Sequence, residues 1–106
     1  VFLALVAGAC SGGGGGGGSP RAHALRACAA GDRFEAAVKR NDDVDTVRAH
    51  LNTARREAHA AERGDSLYVG LASGMEALRI AIDNDDAQAA RVGIDVMHAE
   101  CRYARR

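Results

Sequence analysis

Residues 44–64 read VDTVRAHLNTARREAHAAERG. Val44, Val47, Leu51, Ala54, Ala58 and Ala61 step by three and four without a miss, and most positions between them are polar. That spacing draws one apolar stripe along a helix, because 3.6 residues per turn bring positions three and four apart onto the same face. Asn41, Asp42 and Asp43 precede the stretch and offer side-chain oxygens for its first free N–H groups, and Gly64 ends it.

Working outward, the segment before it predicts a helix from about Arg21 to Arg40. Pro20 suits its first turn, where a missing N–H costs nothing. Leu25, Cys28, Phe34 and Val38 supply the expected inner face, slightly weakened by Gly31. Downstream, Asp65 or Ser66 caps a third helix with Leu67, Leu71, Met75, Leu78 and Ile82 inside. Asp83 to Asp86 makes the last turn. The fourth helix carries two adjoining stripes, Ala89, Val92, Val96, Ala99 and Tyr103 beside Ile94, Met97 and Cys101, which predicts a wide buried face. Four helices with three short connections give an all-α, antiparallel up-down-up-down bundle over residues 21–106.

Composition agrees. The 106 residues hold 14 Lys plus Arg against 14 Asp plus Glu, no Trp and one Pro, so no overall charge points to nucleic acid. The domain is rich in Ala, Arg, Asp and Glu with few β-branched runs, which leaves little room for a sheet. A chain this short is marginal for a self-sufficient core, and an additional fastening is expected.

The beginning is different in kind. Residues 1–20 read VFLALVAGACSGGGGGGGSP: an apolar run, the small residues Ala7, Gly8 and Ala9, a cysteine, then glycines. The run is far shorter than the roughly 20 residues that a bilayer span needs. A strand or core helix is the plain alternative, and a run of glycines belongs to neither. The stretch resembles a bacterial lipobox, and with the alanine- and arginine-rich helices behind it the chain resembles small lipoproteins of high-GC Gram-positive bacteria. The resemblance implies that residues 1–9 are the shortened remainder of a signal peptide and that Cys10 carries diacylglycerol on its sulfur. It also implies a place on the extracytoplasmic face of the cell membrane, and it supplies no activity. Residues 10–20 then form a Gly/Ser spacer with an end-to-end distance of roughly 17 Å.

Export gives the remaining cysteines a meaning. In an up-down-up-down bundle the end of helix 1 and the start of helix 4 share a pole. Counting 1.5 Å per residue from it, Cys28 stands roughly 20 Å up and Cys101 roughly 22 Å up. Two cysteines at one level on adjacent helices of an exported chain predict a disulfide, contributing about 4 kcal/mol by the chain-entropy argument. Two free core thiols are the bland alternative.

Other patterns are weaker. His98 and Cys101 have metal-ligand spacing without a second pair, and no metal or other cofactor is expected. His23, His50 and His59 are scattered. Gly70 and Gly74 suit close helix packing, or a shallow groove above them. The aspartates at 42, 43 and 45 and at 83, 85 and 86 meet at one pole, where helix capping accounts for them as readily as a cation does. Arg21, Arg26, Arg55, Arg56, Arg63, Arg102, Arg105 and Arg106 collect toward the other pole, where they could face anionic headgroups or simply complement helix C-termini. No phosphate loop, nucleophile elbow or Ser/His/Asp arrangement stands out, so no catalytic residue is expected. The reading is a lipid-anchored, non-enzymatic helical module with a binding or cell-envelope interaction role, an envelope protein being one candidate partner. The rival is a small-ligand or metal carrier using the bundle interior or the acidic pole.

Overall fold

Short polar side chains start the helices. In the computed structural model, which describes residues 18–106, Ser19 accepts the Ala22 N–H at 3.1 Å and opens α1, Pro20–Lys39. Asp43 accepts the Thr46 N–H and opens α2, Val44–Gly64; Asp86 accepts the Ala89 N–H and opens α4, Ala87–Ala104. Asp65 caps only a 3-10 turn, Ser66–Tyr68, that leads into α3, Val69–Asp83. Expectations for residues 1–9, Cys10 and the spacer as far as residue 17 fall outside the described residues; at the spacer's far end, Ser19 and Pro20 already belong to the start of α1.

The connections at one pole are built alike. Asn41 and Asp85 adopt positive φ, 61° and 54°. Each lets the following amide reach back across the last turn, Asp42 N–H to the Ala37 carbonyl and Asp86 N–H to the Ala81 carbonyl. The next helix starts at once, capped by the aspartate that follows. These tight reversals make α1/α2 and α3/α4 antiparallel pairs. At the other pole the end of α2 lies against Pro20, where a Cβ on Gly64 would stand 2.6 Å from Pro20 Cγ. Arg21 donates to the Arg106 main-chain oxygen at 3.1 Å, so the end of α4 is there too. The result is the expected up-down-up-down four-helix bundle.

Its core is alanine-lined between α1 and α2 and filled elsewhere by Phe34, Leu51, Leu71, Met75, Leu78 and Met97. Cys28 and Cys101 form the disulfide between α1 and α4, with Cα atoms 5.7 Å apart. It spans a sequence separation of 73 residues, and closing so long a loop removes freedom from the unfolded chain worth about 4 kcal/mol.

Three sequence expectations change. Leu67 is 62% exposed, because the 3-10 turn has a different winding and rotates it off the inner face of α3. Val38 and Val44 are also substantially exposed, at the open end of the bundle. On α4 only one of the two stripes goes inside: Gly93, Met97, Cys101 and Ala104 are buried, while Val92 and Tyr103 are 59% and 45% exposed. The disulfide fixes the rotation of α4, and Gly93 completes it by admitting Leu78 where a Cβ would meet Leu78 Cδ2 at 2.8 Å. Gly31 likewise faces Met97 and Met75, so it is a point of close helix approach more than a weak spot in α1.

Candidate functional site

The aspartate pole is open. The C-terminal ends of α1 and α3 and the N-terminal ends of α2 and α4 diverge around a cleft of about 460 Å³. Val38, Val44, Val47, Ala81, Ile82 and Ile94 form its apolar wall, which explains why valines at 38 and 44 are left exposed. Asn41, Asp42, Asp85, Asp86 and Arg91 stand among its polar positions.

The aspartates differ in what they have left to offer. Asp86 is spent on the Ala89 N–H, and Asp42 holds Arg40 at 2.8 Å. Asp43, just outside the lining, accepts from Thr46 through both side chain and backbone, and those bonds lower its pKa. The carboxylate of Asp85 and the guanidinium of Arg91 have no partner among the described residues. The cleft therefore offers an apolar floor with one unengaged charge of each sign, and its lining contains no Ser, Cys, His or Lys. Such a surface can hold a small molecule of mixed character. Among the described residues no three His, Cys, Asp or Glu side chains gather to hold a metal ion.

Comparison with family models, curated proteins and solved structures finds no match.

Three of the four histidines, all but His50, proved to be organised across helices in a way their spacing did not reveal. His23 Nδ1 lies 2.7 Å from Glu57 Oε1, His59 Nε2 2.9 Å from Glu76 Oε2, and His98 Nε2 2.7 Å from Glu35 Oε1. Cys101, in the disulfide, is thereby removed as a metal partner for His98. Hydrogen bonds from His59, Arg79 and Arg55 outweigh partial burial and hold the Glu76 carboxyl at about 2, far below its ordinary 4.5. The His98 bond, against some burial, lowers the pKa of Glu35. For Glu57 burial pushes upward, and His23 with Arg26 together bring the net shift down. No signal within one helix predicts these pairs, since each joins two helices.

The arginines are dispersed by the same pairing. Arg26 meets Glu57, Arg55 meets Glu76 and Arg105 meets Asp32, while Arg106 lies over the Tyr103 ring. Arg55 and Arg56 sit half-way along α2, where Arg56 donates to Thr53. Arg21, Arg63, Arg102, Arg105 and Arg106 remain near the pole from which the N-terminal segment leaves. Arg63 and Arg102 are in last turns, where a cation complements the helix dipole without any membrane. Among the described residues no helix is long and apolar enough to cross a bilayer. The glycines at 70 and 74 leave no groove, because Glu100 and Val96 of α4 occupy the space above them.

Proposed function

We propose that this chain is an extracytoplasmic binding module, held at the membrane by lipid on Cys10, that takes a small amphipathic molecule into the cleft at its aspartate pole. The cleft carries the reading: its size lies within the range of small-molecule sites, and its wall is apolar with few polar groups at the mouth. An apolar body would lie against Val44, Ile82 and Ile94, with a cationic end toward Asp85. The Cys28–Cys101 bridge suits an oxidising compartment, which agrees with the lipobox-like start. Of the two readings open at the sequence, the cleft favours the carrier over the envelope-protein adaptor.

The test is native mass spectrometry of the chain extracted from membranes of a lipoprotein-processing bacterium. A bound small molecule is expected, lost from Ile94→Arg, which fills the cleft, and weakened in Asp85→Asn. An empty chain, or an occupant indifferent to Ile94→Arg, sinks the cleft as the site. In parallel, Cys10→Ala is expected to move the protein to the soluble fraction; unchanged membrane association rules out the lipid on Cys10.

A further inference from the structure

We propose that the outward stripe of α4 is the interface of an antiparallel homodimer, two α4 helices packing face to face about a two-fold axis. Ala89, Val92, Val96, Ala99 and Tyr103 recur at alternating intervals of three and four, the a/d pattern of a two-helix seam. The fold covers them only in part: Ala89, Val92, Ala99 and Tyr103 are exposed, and Val96 rests one methyl over Gly74 of α3 while remaining 39% exposed.

Charge selects the partner and the register. Asp95 and Arg102 occupy the flanking g positions on the edge away from α3. Both are exposed, and neither side chain has a partner among the described residues. In an antiparallel pair g positions face each other across the seam. Packing Val96 against Ala99 of the second copy, and Val92 against its Tyr103, sets Asp95 opposite its Arg102, and the two-fold axis makes the same pair twice. In a parallel pair g faces e, and Asp95 would oppose Glu100, a like charge. The other edge of the antiparallel seam brings Gly93 opposite Glu100 and adds no repulsion. A second copy of this chain therefore satisfies both the apolar stripe and its bordering charges.

The experiment is sedimentation equilibrium of the oxidised 106-residue chain carrying Cys10→Ser, so that no intermolecular bridge contributes. A concentration-dependent dimer is expected. Asp95→Arg alone and Arg102→Asp alone each replace two attractions by two repulsions and should raise the dissociation constant about tenfold; the double reversal should restore it to within about threefold. Both sites are exposed, and circular dichroism of each variant confirms the helices. A chain monomeric throughout, a dimer indifferent to the single reversals, or failure of rescue in a folded double variant overturns the proposal. Tighter association of Asp95→Arg overturns it too, because that result belongs to the parallel register with Glu100.

Discussion

Gly93 and Glu76 show how much a single position can set. A Cβ on Gly93 would stand 2.8 and 2.9 Å from Leu78 Cδ2 and Cγ, inside the core between α3 and α4. Alanine is the better helix former by about 1 kcal/mol, yet overpacking at such a contact costs about 1–3 kcal/mol. Gly93→Ala is therefore expected to lower the stability measured by urea unfolding; a gain would mean that Leu78 yields freely. Glu76 gathers His59, Arg55 and Arg79 from two helices, with its side chain 29% exposed. Its pKa is depressed from 4.5 to about 2, so its contribution is fully present above about pH 4.5 and is lost as pH falls toward 2. Glu76→Gln should cost about 1–2 kcal/mol at pH 7, with the deficit shrinking through that acid window. A deficit equal at pH 7 and pH 2.5 would show that the charge is not what matters.

Among the elements, the two reversals at the open pole are under strain that their sequence permits. Asn41 and Asp85 hold the left-handed conformation that favours glycine. Asp85→Gly is expected to raise stability by about 0.5–1 kcal/mol in thermal unfolding, because relief of the backbone exceeds the freedom added to the unfolded chain. A fall would indicate that the carboxylate contributes to the fold. The capping aspartates behave differently: the sequence offered Asn41, Asp42 and Asp43 alike before α2 and left Asp83 to Asp86 as a turn, and the structure selects Asp43 and Asp86, each accepting the N–H three residues on. Inner faces were legible where one stripe was unambiguous, as on α2, whose Val47, Leu51, Ala54, Ala58 and Ala61 are all buried. They were not legible on α4, where two stripes compete and nothing in α4 itself says which one turns inward.

For the whole molecule, the disulfide is the main long-range fastening of a small, alanine-rich core. Cys28 and Cys101 tie α1 to α4 across nearly the full domain. Reduction, or Cys28→Ala with Cys101→Ala, is expected to lower unfolding free energy by about 2–5 kcal/mol. Equal melting of oxidised and reduced protein would show that the bridge constrains nothing. The same bridge was foreseeable from helix lengths together with the reading of an exported chain, since an antiparallel alternation places both cysteines at one height.

The candidate cleft was only half visible. Its aspartates stood out as a pole, but its apolar wall was assigned to the core, because Val38 and Val44 continue helical stripes that are buried further along. What the sequence by itself determined was carried by neighbours along the chain: four helices, their stops and most of their starts, their alternating direction, and from these the level of the two cysteines; the start of α3, where a 3-10 turn intervenes, was not among them. Only the tertiary structure decided how each helix is rotated about its axis, which glutamate each of His23, His59 and His98 meets, and where the bundle fails to close. Periodicity defines a stripe to within a turn of the chain. Rotation and closure arise from contacts between residues far apart in sequence, here Gly31 against Met97 and Gly93 against Leu78, which no local pattern encodes.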